Sequence, residues 1–343
     1  MSNKTFVDVT ASGAVCLGPH VVCDGFLYGV EGRVQTHVHD DHMYDFDKSK
    51  GQHNIYLTEA TKQLLIAERN ADLPYRENVI ALPTAAPVDR GAFRLELYPN
   101  GHMLGSVQVA VELDDGTRVG YSGDFGWPQP AVMKVDQLVV DSTYGRPGFE
   151  RRYSQAEVEA RLLEHIRVRL MLGPVHVVAN RGTLHRALQV LAGAIKYPII
   201  GSRRLIKEVE VYRQFGACID PVLDVQSAVG QQALAEGRYV RFYGKGDRHP
   251  ADEVRGSRIV LSAFMTSPDD PVLEYSQHSC RIALSDHADF DATVDYVAET
   301  GAKRVVTDNT RGGNAITLAA ELSRRLGILC SPSTNTWGRE WTG

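Results

Sequence analysis

Thr36-His37-Val38-His39-Asp40-Asp41-His42 is the stretch from which the rest of this chain can be read. Three histidines and their neighbouring aspartates fall within six residues, at the end of an apolar run, Arg33–His39, that reads as a β-strand. A strand ending in a tight loop turns His37 and His39 toward one point and leaves Asp41 and His42 facing a second point close by. Imidazole nitrogens and carboxylate oxygens are the borderline ligands that suit zinc, manganese or iron. A solvated polar loop is the competing reading for a lone histidine. This spacing after a strand favours a metal centre.

Two isolated features fit the same pattern. His102 sits in Asn100-Gly101-His102-Met103-Leu104-Gly105-Ser106, a glycine-flanked turn after a strand. Asp124 sits in Tyr121-Ser122-Gly123-Asp124-Phe125, directly after the second strand of a hairpin. Each is weak alone. Their order and their strand-end positions give them weight together.

The composition sets bounds. The chain has 343 residues, 43% of them hydrophobic, with 37 Lys+Arg against 42 Asp+Glu and a net charge of −5. That length suggests two domains, or one large domain with an insertion. No apolar run approaches the roughly 20 residues needed to span a bilayer. The first residues lack the apolar core of a signal peptide, so the expected location is the cytoplasm. The five cysteines are scattered and odd in number, which fits neither a disulfide framework nor a CxxC zinc site. A net charge of −5 also speaks against a general nucleic-acid coat protein, but its distribution says more. Residues 1–150 hold 12 Lys/Arg and 20 Asp/Glu, residues 151–260 hold 18 and 11, and residues 261–343 hold 7 and 11. A basic block therefore lies between two acidic ones, as expected of a subdomain facing a polyanion.

Strands and helices alternate along the chain. Strands are expected at Val21–Phe26, Asn54–Leu57, Phe93–Tyr98, Val107–Leu113, Arg118–Tyr121 and Gln137–Asp141, with a helix over about 59–70. Asp114-Asp115-Gly116-Thr117 marks a hairpin. Ser154-Gln155-Ala156-Glu157 is a capping box opening a long helix to about Leu172. Val175–Ala179, a helix Thr183–Ile195, Pro198–Gly201 and a helix from Leu205 read as parallel α/β units. Strands follow at Arg258–Phe264, Ile282–Ser285 and Arg304–Asp308, with helices Phe290–Thr300 and Ala315–Leu326.

H-x-H-x-D-H, then G-H-x-x-G-S, then S-G-D resembles the metallo-β-lactamase superfamily. Val139-Val140-Asp141-Ser142-Thr143-Tyr144-Gly145, Ser285-Asp286-His287-Ala288-Asp289 and Asn180-Arg181-Gly182-Thr183 resemble motifs of its β-CASP nuclease branch. Gly101–Val109, Val135–Pro147 and Leu284–Arg304 look most like small prokaryotic ligase-associated DNA exonucleases. The resemblance covers nearly the whole chain. It implies an α/β (α+β) fold, a four-layer αββα metallo-β-lactamase sandwich carrying an inserted α/β β-CASP domain. The expected division is 1–150 for the first part of the core, 151–260 for the insertion and 261–343 for the return.

Carried over by position, the resemblance implies two divalent metal ions, zinc foremost, with manganese an option at the second site. His37, His39 and His102 would bind the first, Asp41 and His42 the second, and Asp124 would bridge. Asp41, His287 and Asp141 would be the catalytic residues. His287 would protonate the leaving oxygen, and Asp141 would orient it and keep it cationic. In many members a late strand ends in a histidine of the second site. Here that position lies in Val305-Val306-Thr307-Asp308-Asn309-Thr310, which has none; either the Asp308 carboxylate ligates in its place, with Asn309 as an alternative alignment, or the second site is weak. Arg181, Thr183, Arg203, Arg204, Arg241 and Lys245 are candidate phosphate contacts.

The expected activity is phosphodiester hydrolysis by a two-metal nuclease. A DNA exonuclease of DNA processing or repair is favoured, with nucleic acid and DNA-repair proteins as partners and no membrane. Three alternatives stand beside it. These are an RNA-processing ribonuclease of the same fold, a small-molecule metallo-hydrolase, and a non-catalytic binding protein with a degraded metal site.

Overall fold

Along Val107–Leu113 the side chains take alternate sides, as the period of two dictates. Val107, Val109 and Val111 enter one apolar cluster and Ala110 enters another. Both faces of this strand are therefore covered, which explains why it reads as an almost continuous apolar run. The computed structural model describes residues 5–68, 71–244, 246–247, 255–262, 267–333, 335–336 and 339–340.

The chain divides into two compact units, one of residues 1–66, 70–150 and 287–343, the other of 67–69 and 151–286. The first unit is built on two sheets. One runs in the order Val7–Val9, Val15–Leu17, Val21–Cys23, Gly32–Val34, Asn54–Leu57, Val79–Ala81. Its first two pairings are antiparallel and the rest parallel. The other runs Leu329–Pro332, Arg304–Thr307, Gln137–Val140, Arg118–Tyr121, Val107–Leu113, Phe93–Pro99, Val88–Asp89. Val9, Leu17, Cys23 and Val34 of the first sheet share one core with Leu95, Val109, Tyr121 and Val139 of the second. On the second sheet's other face, Leu138, Val140 and Val305 pack with Phe290, Val294 and Val297 of the helix Phe290–Thr300 and with Leu318 and Leu322 of Ala315–Leu326. Helices Phe46–Gln52 and Glu59–Glu68 flank the strand Asn54–Leu57 in sequence. The result is a mixed α/β sandwich.

One consequence of this topology makes the site. Arg118–Tyr121, Gln137–Val140 and Arg304–Thr307 are mutually parallel, and Phe93–Pro99 runs the same way because two antiparallel steps separate it from Arg118–Tyr121. Their carboxyl ends lie along one sheet edge. The residues just beyond those ends are His102, Asp124, Asp141 and Asp308.

The second unit holds a seven-stranded sheet in the order Val222–Asp224, Ile199–Gly201, Val240–Tyr243, Val175–Val178, Ser257–Leu261, Ser279–Ile282, Val272–Ser276. All pairings are parallel except the last. Its helices are Gln155–Leu172, Thr183–Leu191, Arg203–Gln214 and Ala228–Glu236. The capping box is formed, with the Ser154 hydroxyl accepting from the Glu157 amide and the Glu157 carboxylate accepting from the Ser154 amide.

Several expectations shift. The strand Arg33–His39 is confined to Gly32–Val34. Gln35 still donates its amide to Tyr56, but Thr36 turns its own onto the Asp24 carboxylate and leaves the ladder. The strand expected at Ile282–Ser285 is Ser279–Ile282, and the helix expected to Ile195 ends at Leu191. The return to the first unit comes at 287, not 261, because Ser257–Leu261 and Ser279–Ile282 extend the second unit's sheet beside Val175–Val178. With these bounds, residues 151–286 hold 19 Lys/Arg against 15 Asp/Glu, so the basic excess is smaller than the 151–260 block suggested.

Leu97 is fully buried in the core shared by the two sheets. Leu97→Ala is expected to lower the free energy of unfolding by about 2–5 kcal/mol. Chemical denaturation measures this, and a loss well below 1 kcal/mol would contradict the packing described.

Candidate metal centre

His37, His39, His102 and Asp124 bring one donor atom each into a group within 4.8 Å. The Nδ1 of His39 lies 3.1 Å from His37 Nε2 and 3.1 Å from His102 Nε2. Asp124 Oδ2 stands 3.7 Å from His37 Nε2 and 3.8 Å from His102 Nε2. Four donors placed tetrahedrally at about 2.1 Å from a zinc ion are separated by about 3.4 Å, and these distances bracket that value. The residues fit a divalent ion.

His42 faces the same carboxylate from the other side, its Nε2 3.2 Å from Asp124 Oδ1. That nitrogen is buried and makes no hydrogen bond. Asp124 thus has one oxygen toward the three-histidine group and the other toward His42, as a bridging carboxylate requires. The Asp41 carboxylate stays at the rim, 53% exposed and 4.0 Å from His42 Nε2, outside the donor groups found among the described residues.

Local structure fixes each donor. Val21–Cys23 delivers Asp24, a buried residue at φ 54°. Its Oδ2 accepts from the Thr36 hydroxyl and lies 2.7 Å from His42 Nδ1. The Thr36 oxygen in turn lies 2.9 Å from His37 Nδ1. With the Thr36 proton directed to Asp24, Nδ1 of His37 donates to the hydroxyl and Nε2 is left as the donor to a metal. The same carboxylate takes Nδ1–H of His42 and aims its Nε2 inward. Arg33 lies beneath, fully buried, donating to the carbonyls of His42 and Tyr44 and to Gln35 Oε1. Gln35 Nε2 donates to the His37 carbonyl at 2.7 Å. The short 3₁₀ turn Asp40–His42 is pinned by these bonds.

His102 and Asp124 are tied by Asn100, whose amide donates to the Ser122 and Asp124 carbonyls. Its side-chain oxygen accepts from Ser106 Oγ at 2.6 Å. Gly123, at φ 57°, precedes Asp124 where an added Cβ would meet the Val107 carbonyl at 3.0 Å. Asp24, Arg33 and Asn100 were not singled out from the sequence. They lack a metal-ligand spacing, and only a polar residue directly after a β-strand hinted at Asp24 and Asn100.

The electrostatics divide the histidines. Burial, with His42 adding to it, pushes His37 well below the usual histidine range, so it is neutral and ready to ligate. Burial also opposes charge on His42, but the Asp124 and Asp24 carboxylates outweigh it and hold its pKa up to about 10. Burial would raise Asp124, and the charge of His42 instead holds it well below the usual carboxylate range.

Beside the donors stands a second pair. His287 Nδ1 lies 3.1 Å from Asp141 Oδ2, and its Nε2 lies 3.9 Å from Asp124 Oδ2. Asp141 Oδ1 accepts from the Thr143 amide and hydroxyl. The His287 ring stands edge-on to His102, with centroids 4.7 Å apart. The sequence could place these two residues in one site only through resemblance, since 146 positions separate them.

Other candidates lie elsewhere or are engaged. Asp308 is buried and belongs to none of the donor groups among the described residues. Its Oδ1 accepts from the Thr310 amide and hydroxyl, and its Oδ2 pairs with Arg311. Both of its carboxylate oxygens are thus engaged within its own loop. Arg181 is paired with Glu68 at 2.7 Å and Glu208 at 3.2 Å and is only 10% exposed. Arg204 reaches the same two carboxylates. Thr183 is buried, and the amides at this helix start bond to the Arg181 and Asn180 carbonyls. Arg181 and Thr183 are thus held within the unit, while Arg204 keeps 39% of its side chain exposed beside its carboxylate partners. Arg203 is exposed and pairs with Asp224, and the Arg241 guanidinium lies 4.6 Å from the centre of the Tyr243 ring. Lys245 lies outside the described residues. All five cysteines are unpaired thiols, and among the described residues no helix is long and apolar enough to cross a membrane.

No family model matches the chain. It is 32% identical over 126 residues to an uncharacterized protein in the lig 3′ region of Acidianus ambivalens, covering 36% of this chain and 89% of that protein. Protein artemis of Gallus gallus is 26% identical over 174 residues, 42% of this chain and 24% of the relative. An RNase J-like protein of Methanocaldococcus jannaschii is 24% identical over 285 residues, 72% of this chain and 63% of the relative. The chain thus spans less than two thirds of the latter two. A crystal structure of a protein of unknown function from Enterococcus faecalis V583 shares the fold, with a TM-score of 0.61 over 88% of this chain and 78% of that one at 14% identity.

Two measurements check the site. Asp24→Asn is expected to weaken zinc binding about 10–100-fold, because it loosens both His37 and His42. Titration of the metal-free protein reads this, and unchanged affinity would remove Asp24 from the support. At pH 7 the metal-free protein holds a proton on His42 that a cation at Nε2 must displace. Loading of the His42 side should therefore release about one proton and tighten as pH rises toward 10, whereas neutral His37 releases none. Calorimetry in buffers of different ionisation enthalpy counts that proton.

Proposed function

We propose that this chain, which belongs to the metallo-β-lactamase superfamily and to one family with the Acidianus ambivalens protein, is a two-metal nuclease that hydrolyses phosphodiester bonds in DNA and removes nucleotides from strand ends. Nuclease relatives support the hydrolytic reading in general. The observation that carries it here is the placement of the His287–Asp141 pair against the bridging Asp124, with His287 Nε2 3.9 Å from Asp124 Oδ2. A hydrolase that needs only to bind metal has no use for a second oriented imidazole at that edge. One that must protonate a leaving alkoxide does.

Two divalent ions, zinc foremost, would supply water of lowered pKa and offset the charge developing on the phosphate. The remaining work falls to the protein. His37, His39, His102 and Asp124 would hold one ion, and His42 and Asp124, with Asp41 at the rim, would hold the other. Asp141 takes Nδ1–H of His287 and so sets its orientation, leaving Nε2 to give a proton to the departing sugar oxygen. Thr143 keeps the Asp141 carboxylate from turning away.

An RNA substrate is the second reading, favoured by the 72% of this chain that aligns with the RNase J-like protein. End-labelled single- and double-stranded DNA and RNA of matched sequence, with zinc or manganese, separate the two. Shortening of DNA from an end supports the proposal. Cleavage of RNA alone replaces it with the second reading. Hydrolysis of neither, with turnover of lactone or thioester substrates, would return the chain to small-molecule chemistry. In the same assay His287→Ala is expected to retain both ions and lose turnover by roughly 10²–10⁴-fold. Wild-type rates in that variant would sink the acid assignment.

A further inference from the structure

Side chains alternate across the second unit's sheet, and its two sides differ. On one side Val175, Val177, Phe242, Ile259, Cys280 and Ile282 are buried. Glu274 shares that side with Cys280 and meets Arg169 of the helix Gln155–Leu172, so that helix lies over it. The opposite side carries Arg241, His176 and Arg258 in one row across three neighbouring strands, because His176 is in register with both arginines. Arg281 stands on the next strand, two residues further along, in register with Val260. The helix Ala228–Glu236 packs on this side through Ala233, against Ile200 and Leu223 at the far edge of the sheet. Arg241, Val178, Arg258, Val260 and Arg281 are left only partly buried.

The charge on this side is not cancelled locally. Among the described residues, neither Arg241 nor Arg281 has a carboxylate partner, and the Arg281 Nε makes no hydrogen bond. Arg241 instead lies over the Tyr243 ring, whose hydroxyl is 3.0 Å from His176 Nδ1. Burial holds His176 below the usual histidine range, and the charge of Arg241 adds to this, so the ring between the two arginines is neutral. Strands about 4.8 Å apart put the Arg241 and Arg258 Cα atoms about 10 Å apart and Arg281 about 8 Å from Arg258. Three cations thus stand at regular intervals on a flat surface. Arg181 and Arg204, by contrast, are held by Glu68 and Glu208.

We propose that this partly exposed side of the sheet binds the sugar–phosphate backbone of DNA, with Arg241, Arg258 and Arg281 each taking a phosphate. This rests on the nucleic-acid reading above and deepens it by giving the strand a contact surface on the second unit. Guanidinium groups keep their charge at any working pH and match phosphate oxygens two at a time. Ligands of parallel sheets usually sit at the strands' carboxyl ends. A flat face instead grips a backbone and reads no bases, so its contribution is independent of sequence and sensitive to salt. A protein partner would need a large apolar anchor at its centre. Between these arginines stand only the buried His176 and the short Val178 and Val260.

The test is DNA binding by the full chain in the His287→Ala background, so that DNA is held without rapid cutting. Fluorescence anisotropy with labelled single-stranded DNA of mixed sequence is measured over a range of salt concentrations. Arg241→Gln and Arg281→Gln should each weaken binding about 3–10-fold and lower the slope of log K against log salt by about 0.7, and the double variant should show both losses. Arg281→Lys keeps the charge and should keep the slope, which separates lost charge from damaged packing. Arg161→Gln removes the same charge from the helix on the other side, where it is 45% exposed, and should change neither quantity. An unchanged slope in the double variant, an equal loss in Arg161→Gln, or a loss in Arg281→Lys as large as in Arg281→Gln would overturn the proposal. Binding of poly-glutamate with no binding of DNA would replace it with an acidic protein partner. Salt-dependent DNA binding through these arginines in a protein that cuts nothing fails the functional reading alone. Cleavage from DNA ends with an unchanged slope in the double variant fails this one alone.

Discussion

One buried carboxylate organises the centre. Asp24 takes the Thr36 hydroxyl and the His42 ring N–H on a single oxygen, and through Thr36 it also fixes His37. An imidazole can present either nitrogen to a metal, and the choice is made by what the other nitrogen bonds. Without Asp24 the two rings could ligate through either atom and in many orientations. With it, both Nε2 atoms converge near Asp124. Asp24 is fully buried, held by four hydrogen-bond contacts from Thr36, Gln35 and His42, with the Arg33 guanidinium nearby. Arg33 in turn holds the carbonyl of His42, so the charge balance and the geometry of the turn come from the same group.

Topology supplies the rest of the convergence. The strands of the second sheet that precede His102, Asp124, Asp141 and Asp308 all point the same way. Carboxyl ends of such strands gather at one edge, where loops can carry polar groups without disturbing a buried ladder. Asn100 then ties two of those loops together through the Ser122 and Asp124 carbonyls. His287 arrives from the far end of the chain, just where the path returns from the second unit, and Asp141 meets it at Nδ1.

Charge in this chain is best read by segment and then by pairing. The total of −5 conceals a basic block, yet several of its arginines are taken up by Glu68, Glu208 and Asp224. The corrected unit boundary dilutes the block further. Segment charge therefore indicated where positive side chains are concentrated, but pairing with carboxylates decides how much of that charge is offset. Arg311 is the opposite case, a cation in a chain segment of net negative charge whose burial gives it influence over its neighbours.

Most of the elements and the types of donor were legible in local stretches of sequence. Apolar runs marked strands at Phe93–Tyr98, Val107–Leu113 and Gln137–Asp141, and the capping box marked the start at Ser154, because these signals are local. The spacing of His37, His39 and His42 after a strand likewise pointed to a candidate metal site, since neighbours in a tight loop share a region of space. Long-range packing, in contrast, sets that Asp24 orders those rings, that Asp308 is held by Arg311, and that Arg181 and Arg204 face carboxylates. It also decided that Ser257–Leu261 and Ser279–Ile282 join the second sheet rather than the first unit. Each of these is a contact between residues distant along the chain. A local pattern fixes what a side chain can do, while burial and partners fix what it does.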